Sequence, residues 1–216
     1  MEHGWHSRLY LPHFEAEDLP QFVTFRLADA LPREVLERWK LEVRQLQQAP
    51  EFQRLEAAAA EQRRQQLMTT LNRRIEAYLD KGHGEAFLRD PRLASIVEQA
   101  LLYFDGQRYS LHAWIVMPNH VHALFTPSPG WFLSQILMSW KSFTSKQIGK
   151  ILGRTGRIWQ REYFDRMIRS GKHYWWTVDY IERNPVEAGL CEKREDWVFS
   201  STRRRVAVER AASAGT

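Results

Sequence analysis

The sequence predicts an α+β fold: an antiparallel split βαβ sheet of the ferredoxin or RRM type, with helices on one side and a helical insertion. Three observations carry this. Four runs rich in β-branched and aromatic residues, at 21–27, 109–117, 120–126 and 164–169, read as strands. The two middle runs are separated only by Pro118-Asn119, a turn-forming pair at hairpin spacing. Between the other strands lie stretches with helical periodicity, giving the order β, helices, β, β, α, β, α.

The first strand, Gln21 to Leu27, lies between Pro20 and a turn region at 29–32. Pro32 suits a helix start, and Leu36, Trp39, Val43 and Leu46 recur behind it at helical spacing until about Pro50. From Glu51 to Asp80 the chain is Ala, Glu, Gln, Arg and Leu with an apolar stripe through Leu55, Leu67, Leu71, Ile75 and Leu79, which predicts another long helix. Residues 81–84 break the pattern, and Asp90-Pro91 opens a helix carrying Leu93, Ile96, Val97, Ala100, Leu101 and Phe104. Residues 51–105 are therefore read as a helical insertion within one domain, 1–200. Phe132, Ile136, Leu137, Trp140, Phe143 and Ile148 predict an amphipathic helix, and a last helix should run from Lys172 to Asn184, ahead of Pro185. Residues 201–216, basic and then rich in Ala, Ser and Gly, read as a flexible tail.

A chain of 216 residues is long enough for one domain with a real core. Its 31 Lys and Arg against 26 Asp and Glu give +5, an excess that matters only where it is clustered. Cys191 is the one cysteine, which excludes an internal disulfide or a multi-Cys zinc site and makes a reducing, cytoplasmic setting natural. Met1 to His6 lacks the basic and apolar blocks of a signal peptide, and no apolar run nears the roughly 18 residues of a membrane span, so no membrane is expected.

His120-Val121-His122 places two imidazoles on one face of a strand, able together to hold a metal; alone, such a pair equally suits exposed or hydrogen-bonded core histidines. With Pro118-Asn119 as a two-residue turn, Met117 pairs with His120 and Ile115 with His122, which sends His112 to the opposite face. Tyr180 and Asn184 stand four apart on the last helix and share a face. A phenolate there can attack a phosphodiester and an amide oxygen can reach a divalent cation. The plainer reading is a packed tyrosine and a helix-capping asparagine. Tyr174, six positions earlier, falls about 120° around the helix from Tyr180; His173, Trp176 and Thr177 lie closer to its stripe. Positive charge clusters from Met138 to Arg169, where Lys141, Lys146, Lys150, Arg154, Arg157, Arg161 and Arg166 interleave with Trp140, Phe143, Trp159 and Tyr163. That composition suits a single-stranded DNA platform, with Trp159 a candidate stacker and Lys141 the first candidate for a phosphate; a solvated face over an aromatic core competes with it.

Taken together in order, RLYLPH (8–13), FVTFRL (22–27), AWIVMPNHVHAL (113–124), IWQREYFDRMIR (158–169) and VDYIERNPVEAGL (178–190) resemble the REP-associated tyrosine transposases, single-tyrosine HUH endonucleases. The resemblance spans most of the chain outside the insertion. It implies that His120 and His122 are the HUH metal pair, with Val121 the hydrophobic middle residue, that Asn184 completes the metal site and that Tyr180 is the nucleophile. It further implies Mg or Mn as cofactor, single-stranded DNA hairpins of palindromic repeats as partner, and strand transfer through a 5′-phosphotyrosine. Monomer and homodimer both remain open. Two other classes stay in view: a non-catalytic RRM-like nucleic-acid binder, and a hydrolytic zinc enzyme built on the histidine pair.

Overall fold

Backbone geometry in the computed structural model is described for residues 5–7, 12–14 and 19–214. Arg8–Leu11, at the front of the first resembling stretch, lie outside the described residues. A short antiparallel pair, β1 (Trp5–Ser7) and β2 (Pro12–Phe14), precedes the main sheet. That sheet contains β3 (Gln21–Arg26), β4 (Tyr109–Val116), β5 (His120–Pro127) and β6 (Phe164–Met167) in the order β4-β5-β3-β6, every neighbour antiparallel. Strands consecutive in the hairpin lie side by side while β3 is inserted between β5 and β6, which is the split βαβ order.

Two helices, α4 (Pro91–Tyr103) and α5 (Leu133–Leu152), bridge the strands and bury Leu93, Val97, Leu101, Ile136, Leu137 and Trp140 against Val23, Phe25, Val121 and Phe125 on one sheet face. Period-two alternation sends Phe22, Ile115, Met117 and Leu124 to the other face, together with both histidines, and there Ile181 of α6 (Gly171–Glu187) covers them. The expected one-sided helix layer is the α4 and α5 pair. Helix α6 is an addition that roofs the histidine face.

The insertion is differently divided from the expected 51–105. Helix α4 belongs to the βαβ unit, and the additional elements are α1 (Arg33–Gln48), α2 (Pro50–Gln53) and α3 (Ala57–Leu79). Pro50 starts α2 rather than only ending α1, and Arg54 to Glu56 interrupts the helix expected from 51 to 80. Asp90 caps α4 by accepting a hydrogen bond from the Arg92 backbone N–H at 2.9 Å.

Three further differences have local causes. A β-bulge between Leu111 and Ala113 shifts the pleat, so His112 lies on the same face as the histidine pair, yet at the far end, 2.8 Å from Thr126 and edge-on to Tyr174. Helix α6 continues through Pro185 to Glu187; proline removes one helical hydrogen bond near the end and the turn survives, with Ala188 N–H donating to the Asn184 carbonyl. The segment expected as a flexible tail forms α7 (Ser201–Ala214), held at its start by buried Ser201 and Thr202 and by an Arg205–Glu182 ion pair.

Candidate metal and nucleic-acid site

The β4–β5 hairpin has the register that a two-residue turn demands: Met117 N–H donates to the His120 carbonyl and Ile115 lies opposite His122. On the other side β3 aligns Arg26 with His120 and Thr24 with His122. Both histidines are fully buried, and their Nε2 atoms face each other at 3.0 Å.

Outer partners fix the rings. Asn119 donates its amide N–H to the His83 carbonyl, which turns its Oδ1 toward His120 Nδ1 at 2.8 Å. An amide oxygen only accepts, so His120 carries its proton on Nδ1 and presents a bare Nε2. Thr24 Oγ1 lies 2.8 Å from His122 Nδ1, and the same hydroxyl helps hold the Glu76 carboxyl down. Thr24 thus engages His122 Nδ1 and turns the second Nε2 toward that of His120. Burial pushes the His122 pKa down to about 3. That of His120 is lowered well below the usual value by burial, then by His122 and Arg26. Both imidazoles are therefore neutral, the form that binds a metal.

The loop from 81 to 90 braces this turn. Gly84, at φ +84°, brings the backbone so close to Asp29 that a Cβ would sit 2.9 Å from its carboxylate, and Glu85 N–H donates to that carboxylate at 2.7 Å.

Helix α3 contributes what the sequence had not assigned. Glu76 Oε2 lies 3.4 Å from His122 Nε2 and accepts from the Tyr180 hydroxyl at 3.1 Å; one ligand atom from each of Glu76, His120 and His122 lies within 4.8 Å of the others. Asp80, one turn later, approaches His120 Nε2 at 3.9 Å. Burial, reinforced by Asp80, pushes Glu76 up to about 7. Burial also raises Asp80 to about 6, against a hydrogen bond from Asn184. The Tyr180 phenol is raised by burial, then by the charges of Glu76 and Asp80. Tyr180 meets the His122 ring edge-on at 5.4 Å. Asn184 is buried behind Asp80, and its Oδ1 has no hydrogen-bond partner among the described residues. All four residues singled out as nucleophile and ligands thus converge, and Tyr174 is turned away toward His112.

A cleft of about 250 Å³ opens between α3 and α6 onto Tyr180; Phe22, Arg73, Glu76, Arg166 and Trp176 are among its walls. Trp176 is 58% exposed and stacks on Tyr180 at 5.8 Å with 12° between the planes. The expected basic platform is less uniform than its composition. Trp159 is buried, donates to Thr144 Oγ1 at 2.8 Å and meets Phe25 edge-on, so it serves the core and offers no face to a base. Lys141 donates to the carbonyls of Gln160 and Arg161, and burial pushes it down to about 8, so it ties the loop to α5 instead of presenting a free charge. Arg154 is paired with Glu85 at 2.8 Å. Lys146, Lys150, Arg157 and Arg161 are exposed, and Arg157 and Arg161 line a second hollow of about 440 Å³. Arg166 lines the Tyr180 cleft itself, where burial and Arg73 lower its pKa.

Residues 89–184, from the turn before α4 to Asn184, match the family model described as Transposase IS200 like. Strands β4, β5 and β6, the histidine pair and Tyr180 fall inside that segment, and β3 lies before it. The chain is also similar to REP-associated tyrosine transposases: it is 34% identical to the REP-associated tyrosine transposase of Escherichia coli (strain K12) over 99 residues, 46% of this chain and 58% of that protein. A putative REP-associated tyrosine transposase of Haemophilus influenzae is 41% identical over 56 residues, 26% of this chain and 32% of that protein. The matches thus span somewhat over half and about a third of the lengths of these curated relatives. A solved structure of a REP-associated tyrosine transposase bound to a REP hairpin shares the fold at a TM-score of 0.56, with 20% identity over 94% of this chain and 85% of the other.

Proposed function

We propose that this protein is a metal-dependent single-stranded DNA endonuclease and strand transferase, a transposase that acts on hairpin-forming palindromic repeats through a 5′-phosphotyrosine. The observation that carries the reading is the Tyr180 hydroxyl, held by Glu76 beside the facing Nε2 atoms of His120 and His122.

His120 and His122, through Nε2, and Asn184, through its unpartnered Oδ1, would hold Mg or Mn, and the donor set fits such an ion. The cation, when bound, supplies positive charge that polarises the scissile phosphate. The chain does the rest. Tyr180 adds its oxygen to phosphorus; the new Tyr O–P bond forms as the bond to the 3′ oxygen breaks, leaving the 5′ phosphate on the protein and a free 3′-OH upstream. Rejoining reverses these bond changes without ATP. Trp176 stacks on an unpaired base, and Arg73 and Arg166 meet its phosphates in the cleft. An unpaired strand can present a splayed base and its phosphate to a cleft of about 250 Å³, so a stem-loop is expected to be cut in its unpaired flank. Lys146, Lys150, Arg157 and Arg161 add non-specific attraction that weakens with salt. The reducing cytoplasm is the proposed setting, in keeping with a single cysteine; among the described residues no helix is long and apolar enough to cross a membrane.

The test is a hairpin oligonucleotide labelled at each end in turn, incubated with protein and Mn²⁺ and compared on gels before and after proteolysis. The label on the 3′ side of the cut should shift with protein and the upstream fragment should carry a 3′-OH. A shift of the 5′-side label, or equal cutting of duplex, overturns the reading; binding without an adduct identifies a non-catalytic single-strand binder.

A further inference from the structure

Between β3 and α4 the chain spends residues 33–79 on helices that the sheet does not need, and the longest of them aims two carboxylates at the histidines. We infer that Glu76 is a direct ligand of the divalent cation, so that the additional helix α3 completes the metal site with an anionic oxygen besides the neutral amide of α6. The inference rests on the metal-dependent reading above.

Geometry is the first argument. Glu76 Oε2 lies 3.4 Å from His122 Nε2 and the two Nε2 atoms 3.0 Å apart, the spacing of neighbours around a single ion at bond lengths of about 2.0–2.2 Å, and the three ligand atoms all lie within 4.8 Å of one another. Hydrogen bonding is the second. Asn119 and Thr24 engage both Nδ1 atoms, so the two Nε2 atoms are the ones turned into the site, 3.0 Å apart, where two neutral imidazoles can both donate to one cation. Charge balance is the third. Glu76 and Asp80, one turn apart on the same side of the site, repel each other, Asp80 Oδ1 and Asn184 Oδ1 are buried without hydrogen-bond partners, and Arg26, whose charge favours the Glu76 carboxylate, is itself engaged with Gln160 Oε1 at 2.6 Å. Two carboxylates side by side in a half-buried site are costly, and a dication beside them offsets that cost. Two imidazole nitrogens with one carboxylate also favour Mn²⁺ over Mg²⁺, which prefers an all-oxygen, largely hydrated sphere.

The experiment measures Mn²⁺ binding to the full chain without DNA, by titration calorimetry, for wild type, Glu76→Gln, Glu76→Asp and His122→Ala. Circular dichroism in EDTA verifies that each is folded. Hydrogen exchange of α3 with and without Mn²⁺ gives a second readout, and adduct formation at saturating Mn²⁺ reports the Tyr180 chemistry separately. Glu76→Gln should weaken Mn²⁺ binding about tenfold or more, the scale of losing a supporting group at a metal site. It should also abolish the Mn²⁺-dependent protection of α3, while Glu76→Asp recovers part of both. Wild-type affinity and protection in Glu76→Gln overturn the inference and leave the Tyr180 reading standing, because that variant's adduct assay then shows Glu76 to act, if at all, on the phenol proton. Failure of the wild type to bind Mn²⁺ overturns both.

Discussion

Replacing Tyr180 with phenylalanine removes one oxygen and leaves the ring. The lost interaction is a hydrogen bond to Glu76 Oε2 at 3.1 Å, and a bond to a charged acceptor contributes about 1.5–3 kcal/mol. Less should be lost here. The Tyr180 hydrogen bond is one of the influences holding the Glu76 pKa down, and that pKa is already about 7, so without the phenol Glu76 takes up a proton and escapes most of the penalty. A loss of about 1 kcal/mol, or roughly 2–4 °C in Tm for a domain of this size, is expected. Hairpin affinity should be nearly unchanged because the ring still stacks on Trp176 and meets Phe22 edge-on. The covalent adduct, by contrast, should vanish. Denaturing gels after incubation with a hairpin oligonucleotide and Mn²⁺, followed by mass spectrometry of the modified peptide, measure it. An adduct at wild-type rate in Tyr180→Phe, or one mapped to Tyr174, refutes the assignment, since Tyr174 faces His112 in a different part of the sheet face.

Mutation of His112 to Ala should leave Mn²⁺-dependent cleavage intact, because its ring is bonded to Thr126 away from the pair, whereas His120→Ala and His122→Ala should each abolish cleavage; the same gel assay decides. Trp176→Ala should weaken binding of a single-stranded oligonucleotide by about 1–3 kcal/mol, the range for one base–aromatic stack, with little change in Tm because the ring is 58% exposed; an unchanged affinity removes Trp176 from the DNA surface. In EDTA, Glu76 has its folded pKa raised from 4.5 to about 7, so the folded state holds a proton that the unfolded state has already released. The stability it contributes therefore falls as pH rises through that window, and denaturant titrations from pH 5 to 8 should show Glu76→Gln gaining on the wild type as pH increases. A gap independent of pH contradicts the raised pKa.

Local chemistry was sufficient to specify the four strands of the main sheet and the pairing of the central hairpin. Period-two alternation and Pro118-Asn119 determined the hairpin register, and that register places His120 and His122 on one face. The four-residue spacing of Tyr180 and Asn184 determined that they share a side of α6. What local pattern does not encode is which side chains meet across large separations. Glu76 is 104 residues from Tyr180, and its placement four residues before Asp80 on a charged helix is common on solvated surfaces, so nothing in the spacing marks it as buried against imidazoles. Composition likewise misplaced Trp159 and Lys141: aromatic and basic residues interleave as readily over a core as over a DNA strand, and only the packing of the 153–163 loop on α5 settles that one faces Phe25 and the other a pair of carbonyls. The bulge that turned His112 has the same character, since a single extra residue in a strand reverses every inference from alternation beyond it. Sequence alone determined the strands, the hairpin and the two spaced pairs, because these depend on backbone periodicity; only tertiary structure decided that α3 closes over them, because a buried carboxylate is defined by its neighbours rather than by its place in the chain.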